Sequence, residues 1–283
     1  MSPVVAALRS GCASGRIELK QMLSSPGDVA NNFFFTLILL IVLFIVRDVD
    51  VPGAGLSLGS TMLAGVVGLN IVLGGLINLS QVLVVEREDG TLLRARAVPN
   101  GVVGYLTGKI ITVSALTLIR MVFLVVVGVL LFDGISVGDV AFWVTAAWVL
   151  PLGLVAMMAF GAVLGSLLTD ARKLGLMLPP ILGLAGLSGI FYPITEFPVW
   201  LQWIAQLFPV YWIGLGMRSA LLPDSMAALE IAGSWRHVAC VGVLGAWAVI
   251  GLAVAWVVVR RSARRESGSR LVVRRERAMR RSG

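Results

Sequence analysis

Long apolar runs recur along this chain, and they constrain its fold more than any other feature of the sequence. A helix that crosses the hydrocarbon core of a bilayer needs about 20 mostly apolar residues. The segments that approach or exceed this length are Val29 to Val46, Leu56 to Val85, Val102 to Phe132, Val140 to Leu168, Leu174 to Tyr192 and Val238 to Val259. We therefore predict an all-α membrane protein with six transmembrane helices, in a domain that covers residues 27–259.

The composition agrees with this fold class and argues against others. Hydrophobic residues make up 58% of the chain and charged residues 13%, whereas a soluble domain carries about 25% charged residues. The two cysteines, Cys12 and Cys240, and the one histidine provide neither a disulfide framework nor a Cys/His metal cluster. The net charge of +8 comes from basic residues at the ends of apolar runs, which indicates membrane topology rather than nucleic-acid binding.

The positions of lysine and arginine predict which side of the membrane each end occupies. The N-terminal segment, the region 86–109, the turn at 170–173 and the tail 260–283 together hold 19 of the 23 basic residues. The opposite loops hold only Arg47, Arg218 and Arg236, with seven acidic residues. The positive-inside rule then predicts a bacterial cell-membrane protein with both termini in the cytoplasm. The basic tail favours contact with anionic lipid.

Residues 1–26 form a predicted amphipathic helix ahead of the first span. Its apolar face carries Val4, Leu8, Cys12, Leu19, Met22 and Leu23, with Gly11 and Gly15 between them, and the opposite face carries Arg9, Arg16 and Lys20. This pattern is typical of a helix that lies in the membrane interface with its cations toward the lipid headgroups. A helix packed on a partner protein has the same pattern, so that alternative stays open.

Residues 197–222, between the fifth and sixth predicted spans, differ from a simple loop. Apolar side chains recur on one face of a first short helix bounded by two prolines, and a second apolar piece follows. The face carries Trp200, Trp203 and Leu207, the prolines are Pro198 and Pro209, and the second piece runs from Tyr211 to Leu222. Neither piece is long enough to cross a bilayer. We predict a pair of re-entrant or interfacial half-helices on the outer side, where aromatic residues are favoured.

The loop 86–100, between the second and third predicted spans, mixes charged and apolar residues. Thr91 is suited to cap a short helix, and Pro99 ends it. A helix of this kind would present a surface able to dock into a groove on a partner, although a charged turn that only anchors topology fits equally well. The candidate contact residues are Glu86, Arg87, Glu88, Asp89, Gly90, Thr91, Arg94 and Arg96.

This loop and the outer segment follow an order that one protein family shares. Glu86 to Thr91 resembles the Glu-Arg/Lys-Glu-x-Gly-Thr loop of the membrane permeases of ABC type-2 exporters. The matching segments that follow are Ser188 to Ile194 (with Phe191, Tyr192 and Pro193), Phe197-Pro198, Phe208 to Tyr211 and Met217-Arg218. The resemblance covers nearly the whole chain, while Trp212 and the arginine-rich tail depart from it and leave the subfamily and the substrate open.

The resemblance implies a transport subunit without an ATPase site of its own. Two permease chains, identical or sister subunits, would pair and receive two ATP-binding subunits that hold ATP and Mg²⁺. The loop from Glu86 to Arg96 and the N-terminal helix would receive their motion, and a hydrophobic or amphipathic substrate would be expelled. The sequence agrees, because the string from Gly104 to Ile110 lacks the glycine spacing of a phosphate-binding loop.

Two other functions remain as alternatives. Gly186-Leu187-Ser188-Gly189 resembles the Gly-x-Ser-Gly motif of rhomboid-type intramembrane proteases, with Ser188 as nucleophile and His237 as base. Serine and glycine are also common at close helix contacts, and His237 beside Arg236 fits an interfacial anchor, so the sequence favours packing over catalysis. A passive channel is the third hypothesis.

Arg120 is the most informative single charge, because it falls midway along the third predicted span. A lone cation at that depth costs about 2.5–3.5 kcal/mol on insertion scales, so it should face the bundle interior. The second span offers Asn70, Asn78 and Gln81 as polar partners. The sequence leaves open whether this group is a substrate contact or a structural tie between helices.

Overall fold

The structure is a computed structural model that describes residues 3–49, 55–88, 91, 95, 98, 100–168 and 172–279. Side chains are described for these residues except 3, 4, 87, 88, 172 and 259–279. Regular secondary structure in this part of the chain is helical. The helices are α1 (Pro3–Ser24), α2 (Pro26–Ile45), α3 (Leu58–Leu73), α4 (Leu79–Glu88), α5 (Gly101–Leu131), α6 (Val140–Leu167), α7 (Arg172–Gly175), α8 (Leu178–Leu187), α9 (Val199–Leu207), α10 (Pro209–Leu221) and α11 (His237–Met279).

Five helices among the described residues are long and apolar enough to cross a membrane. They are α2, the helix Leu58–Glu86 formed by α3 and α4, α5, α6 and the first part of α11 up to Val258. A π-helical turn, Gly74–Asn78, joins α3 to α4 without interrupting the helix. The helical fold is thereby confirmed for the described residues, and five of the six predicted spans coincide with helices long and apolar enough to cross a membrane.

The fifth predicted span is shorter than the sequence suggested. Its regular part is α8, a helix of 10 residues, or about 15 Å at 1.5 Å per residue. Pro179 and Pro180 lie in the first turn of α8, after a turn at 176–177. The first turn needs no intrahelical N–H partner, so it accommodates proline without a kink. A sixth crossing therefore stays a prediction.

The helix Leu58–Glu88, called here the central helix, forms the core of the bundle. In its most apolar stretch 78% of residues are buried, against 22% for α2. Glycines allow its neighbours to approach: a Cβ at Gly65 would lie 2.5 Å from the carbonyl oxygen of Ile190, and one at Gly68 would lie 3.0 Å from the Cα of Gly214. Helices in a bilayer associate through such close packing rather than through the hydrophobic effect.

The second predicted half-helix is part of this core rather than an interfacial element. In α10, 12 of 13 residues are buried. It contacts the central helix at Gly214, α6 through Gly216 and Val149, and α11 through Cys240, whose thiol donates to the Trp212 carbonyl at 3.1 Å. Pro209 begins α10, so the proline that was expected to end one half-helix also starts the next.

Gly161 and Gly165 form a Gly-x-x-x-Gly pattern in α6 that packs within the chain. A Cβ at Gly161 would collide with the backbone carbonyl of Gly75 in the π-turn, and one at Gly165 would lie 2.9 Å from Cβ of Leu83. The Ser80 hydroxyl also donates to the Gly161 carbonyl at 2.8 Å. These contacts hold α6 against the π-turn and the C-terminal half of the central helix.

Replacing Gly161 with alanine should destabilise the detergent-solubilised protein by about 1–3 kcal/mol, because the new methyl group meets backbone rather than a movable side chain. Gly245→Ala in α11 is the matched control, since its Cβ would meet open space. We expect thermal unfolding midpoints to show a clear loss for Gly161→Ala and none for Gly245→Ala. Equal midpoints for the two variants would contradict the packing of α6 described above.

Candidate functional site: a polar seam at the N-terminal end of the bundle

Helix α1 packs along the first turns of α5 through facing glycines. Gly11 and Gly15 of α1 oppose Gly104 and Gly108 of α5, and a Cβ on Gly15 would lie 2.7 Å from the Gly108 carbonyl oxygen. Each pair has the Gly-x-x-x-Gly spacing that brings helix backbones together in membranes. We call the end of the bundle at which α1 lies the α1 end.

The buried residues of α1 are its small residues, not the large apolar residues that hydropathy emphasises. Its small residues, Ala7, Gly11 and Gly15, are buried, whereas the apolar Leu8 and Leu23 remain 41% and 42% exposed. The sequence interpretation placed the apolar residues correctly on one face but did not anticipate that glycines would make the contact. The helix is therefore fixed to α5 while a separate apolar face stays available for lipid.

A buried lysine joins three helices at the α1 end. Lys109 of α5 is 8% exposed; its ammonium donates to Glu18 Oε1 at 2.7 Å and pairs with Glu86 Oε1 at the end of the central helix. The Thr112 hydroxyl lies 3.3 Å from Glu18 Oε2 and 3.2 Å from the Gly15 carbonyl. Loss of the lysine would leave both carboxylates without their cation, so this group of Lys109, Glu18, Glu86 and Thr112, called here the lysine cluster, ties α1, α5 and the central helix together.

Sequence reasoning selected Glu86 but missed Glu18 and Lys109. The signal was present, since Glu18 falls on the glycine face of α1, three residues after Gly15, and Lys109 directly follows Gly108. A charge beside a glycine contact is poorly placed to reach water, so it needs a partner on the facing helix. Lys109 had been counted only as one of the basic residues that set topology.

Arg120 lies deeper in the same region and is 6% exposed. With the Asn78 amide oriented so that its oxygen faces the guanidinium, that oxygen accepts from Nη1 at 3.0 Å and Nη2 at 2.6 Å. Nη1 also lies 3.4 Å from the Asn32 carbonyl oxygen. In this orientation Asn78 is a partner of Arg120, whereas the Asn70 amide instead donates to the Thr117 carbonyl at 3.0 Å. These partners of Arg120 are neutral, so the positive charge is stabilised by the dipoles of an amide and a carbonyl group rather than by a carboxylate. The role of these residues as a polar site stays a prediction.

The π-turn explains how Asn78 comes to face α5. A π-turn inserts a residue into the helical repeat and changes which side chains point to a given neighbour, and such turns are frequent at functional sites. It is flanked closely on both sides: a Cβ on Gly74 would collide with Thr117 of α5, and one on Gly75 would lie 2.5 Å from Cβ of Met157 in α6.

A polar cleft of about 270 Å³ connects these two groups. It lies between α1, the start of α2, the central helix and α5. Its polar lining consists of Glu18, Asp28, Asn31, Asn32, Asn78, Gln81, Glu86, Lys109 and Thr112. Asp28, Asn31 and Gln81 are exposed, so the cleft opens between α2 and the central helix. A pocket with this many hydrogen-bonding groups at membrane depth is unusual, because unpaired polar groups there are costly.

The opposite end of the bundle contains a second buried ion pair. Arg218 of α10 and Glu230 are 4% and 7% exposed, and the guanidinium donates from Nε at 2.5 Å and from Nη2 at 3.2 Å to the two carboxylate oxygens. Its Nη1 donates to the carbonyl of Gly189 at 3.0 Å. Gly189 has φ +71°, a conformation that favours glycine. Arg218 thus fixes the turn that follows α8.

The predicted outer residues fall into two groups around this ion pair. Phe191, Tyr192 and Pro193 line a cavity of about 30 Å³ with Arg218 and Glu230, which is room for roughly one water. Pro198 directly precedes α9. In this helix Trp200 and Trp203 are 63% and 70% exposed. The side chain of Gln206 is partly buried, and its Oε1 accepts a hydrogen bond from Arg236 at 2.8 Å. Tyr211, in α10, is fully buried. The predicted apolar face of α9 therefore points outward from the bundle.

The candidate protease dyad is not formed. The Ser188 hydroxyl is buried and donates to the Leu184 carbonyl of its own helix at 2.6 Å. The His237 ring lies against Trp148, with ring centroids 6.3 Å apart. Each side chain has a local contact of its own, so the described contacts give no hydrogen bond through which His237 activates Ser188.

The predicted loop 86–100 is described only in part. Glu86 pairs with Lys109, as described above, and Arg87 and Glu88 are the last residues of α4. Thr91 and Ala95 have helical conformation. Asp89, Gly90, Arg94 and Arg96 lie outside the described residues, so their roles stay predictions.

Comparison with known families supplies the context for this arrangement. The family described as ABC-2 type transporter matches residues 12–222, a range that includes the lysine cluster, Arg120 and Arg218. Comparison with curated proteins returns no match. Members of this family span the membrane and associate with an ABC ATP-binding subunit. The chain therefore belongs to the ABC-2 type transporter family and is a multi-pass membrane permease component.

Proposed function

We propose that this chain is the membrane half of an ATP-driven exporter, which moves a hydrophobic or amphipathic molecule out of the cytoplasm or the inner leaflet. A drug-like compound, a lipid or a lipid-linked glycan fits this class. Two ATP-binding subunits, which carry ATP and Mg²⁺, dock at the α1 end, and a second permease chain, identical or related, completes the pathway. The observation that carries the proposal is the lysine cluster, because it connects α1 to the helix end from which loop 86–100 emerges.

Six crossings with both termini in the cytoplasm fit the packing best. The end of α6 lies beside Leu83, and Ile190 lies beside Gly65, near the other end of the central helix. These two levels are roughly 27 Å apart at 1.5 Å per residue, so the chain between 168 and 190 traverses most of the hydrocarbon thickness. The segment around α8 then serves as the fifth crossing, and α9 and α10 form the outer half-helix pair.

Labelling of single cysteines tests this topology. In a Cys12→Ser, Cys240→Ser background, Ser225→Cys in the loop after α10 should react with a membrane-impermeant maleimide in intact cells. Ser14→Cys, on the exposed side of α1, and Ser267→Cys, in the basic tail, should react only after permeabilisation. If Ser267→Cys is labelled in intact cells, the number of crossings is odd and the proposed topology is wrong.

The lysine cluster suits mechanical coupling because it is rigid and lies at the docking end. Motion delivered to loop 86–100 reaches Glu86 directly, and Lys109 passes it to α5 and to α1 through Glu18. The facing glycines keep α1 and α5 in register while this happens. A flexible surface pair would not transmit force in this way, since exposed ion pairs are weak and dynamic.

Replacing Glu18 with glutamine tests coupling without leaving Lys109 unpaired, because Glu86 remains. In the complex with the ATPase partner we expect substrate-stimulated ATP hydrolysis to fall about three- to tenfold, in line with the loss of one charge-assisted hydrogen bond. Copurification of the partner should be unchanged. Glu196→Gln, the same change at the opposite end of the bundle, should hydrolyse ATP like the wild type. A stimulated rate for Glu18→Gln that equals the wild-type rate would remove the basis for coupling through this cluster.

The surfaces of the bundle favour an apolar or amphipathic substrate. The most exposed large side chains include Trp200 and Trp203 of α9 and Leu130 and Val140 at the ends of α5 and α6. The membrane-embedded charges, Lys109, Arg120 and Arg218, are buried and hydrogen-bonded rather than exposed on a pathway. A strongly charged solute would meet few groups to replace its hydration.

The protease and channel alternatives make different predictions for Ser188. We expect Ser188→Ala to keep transport and partner-dependent ATPase activity within about twofold of the wild type, because its hydroxyl bonds only to the preceding turn. A serine-directed fluorophosphonate should not label the wild-type chain. Labelling that disappears in Ser188→Ala would favour the protease, and substrate flux in liposomes without ATP would favour the channel.

A further inference from the structure

The polar cleft is electrostatically asymmetric along the membrane normal. At its α1 end it is lined by three carboxylates, Glu18, Asp28 and Glu86, against one ammonium, Lys109. Glu86 Oε2 is a buried atom with no hydrogen-bond partner among the described residues. The α1 end of the cleft, called here its mouth, therefore carries excess negative charge. It also has a buried carboxylate oxygen with the capacity to accept one more hydrogen bond.

The deep end of the cleft has the opposite sign. Asn78 lies eight residues before Glu86 on the central helix, which places it about 12 Å deeper. Behind it is Arg120, whose guanidinium is paired with neutral oxygens and whose Nε has no partner in the described part of the chain. Asn78 lines the cleft, and with its oxygen on Arg120 its remaining polar group is the NH₂, a donor. Asn32, whose carbonyl oxygen lies near Arg120, adds a further amide at this level.

We propose that this cleft binds the headgroup of a zwitterionic aminophospholipid from the leaflet at the α1 end, phosphatidylethanolamine being the simplest example. Its ammonium donates to the carboxylates at the mouth, with Glu86 Oε2 as one acceptor. Its phosphodiester accepts from the Asn78 amide, within the field of Arg120. In a leaflet the ammonium faces water and the phosphodiester lies nearer the hydrocarbon, which is the same order as the charges of the cleft.

The shape and the other lining residues agree with a lipid. Val82, Val85 and Leu116 line the cleft beside the polar groups, and the opening between α2 and the central helix gives acyl chains a path into the bilayer. An anionic lipid would place its charge against the carboxylates at the mouth. A purely cationic amphiphile would be repelled by Arg120 at the deep end and would bring no anion to it. A quaternary ammonium has no N–H to donate to Glu86. The binding site does not depend on the direction of transport or on the identity of the transported molecule.

The test is retention of lipid by the purified full-length chain. The chain is equilibrated in detergent with equimolar phosphatidylethanolamine, phosphatidylcholine and phosphatidylglycerol of identical acyl chains, and bound lipid is read by native mass spectrometry. We expect phosphatidylethanolamine to be retained about fivefold over each of the others, as one or two charge-assisted hydrogen bonds predict. Equal retention, or a preference for phosphatidylglycerol, would overturn the proposal.

Variants at each end of the cleft separate the two contacts. Asp28→Asn removes an exposed carboxylate from the mouth and should lower the preference about threefold, whereas Asp48→Asn, the same change after α2 and outside the cleft, should not alter it. Asn78→Asp places a carboxylate beside Arg120 and should lower retention about tenfold while the thermal unfolding midpoint is maintained or raised. If Asp28→Asn behaves like Asp48→Asn, or if Asn78→Asp retains the lipid fully, the headgroup does not bind here.

Discussion

Apolar helices inside a bilayer gain little by leaving lipid for one another, because lipid tails are as apolar as leucine side chains. Their association therefore depends on how closely the backbones approach, and in this chain glycines set that distance. The central helix meets Ile190 at Gly65, Gly214 at Gly68 and α6 at Gly75, and α1 meets α5 through two further pairs. The positions of α1, α8 and α10 follow from these contacts, and the contact of Gly15 with Gly108 brings Glu18 to Lys109.

The buried cations are stabilised in three different ways, and the differences are informative. Arg218 has a carboxylate and a carbonyl, so both its charge and its geometry are satisfied. Lys109 has two carboxylates, which leaves an excess negative charge at the α1 end. Arg120 has amide and carbonyl oxygens only. A charge held by dipoles remains able to attract an anion, whereas a charge that is already neutralised does not. The positive deep end of the cleft therefore belongs to Arg120 alone among these three cations.

Much of this architecture was predictable from sequence because length and hydropathy determine what can cross a bilayer. The spans from Leu56 to Val85 and from Val102 to Phe132 are close to the observed helices, and the contact between Arg120 and Asn78 followed from the cost of a lone charge. The boundary of α9 at Pro198 also followed from the sequence. These features depend on one residue, or one run of residues, and its surroundings in the membrane.

The remainder depended on which helices are neighbours, and the sequence does not contain that information in local form. The pairing of Glu18 with Lys109 joins residues 91 positions apart, and Glu230 reaches Arg218 only because 3₁₀ turns fold the loop back. The sequence left α10 as either a re-entrant or an interfacial half-helix, and its Gly214 lets it enter the core beside Gly68. The pattern of α1 predicted a helix in the membrane interface, but it did not indicate that Gly11 and Gly15 would contact α5, because hydropathy does not register close backbone contact between helices.

The central helix connects the two ends of the bundle physically. Its last residues hold Lys109 through Glu86, and its first half packs against Ile190 and Gly214, the elements that Arg218 fixes. Between them is the π-turn, the one irregularity described in an otherwise continuous helix. A π-turn can be lost or shifted by a change of one residue in the hydrogen-bond ladder, whereas the flanking α-helical segments resist such a change. A displacement of Glu86 therefore has two possible outcomes. Either the whole central helix moves and carries the displacement to Gly65, or the π-turn Gly74–Asn78 absorbs it. In the second case Asn78 would also turn relative to Arg120. The polar cleft lies at this point, so its occupant and the position of the central helix are coupled by the same few contacts.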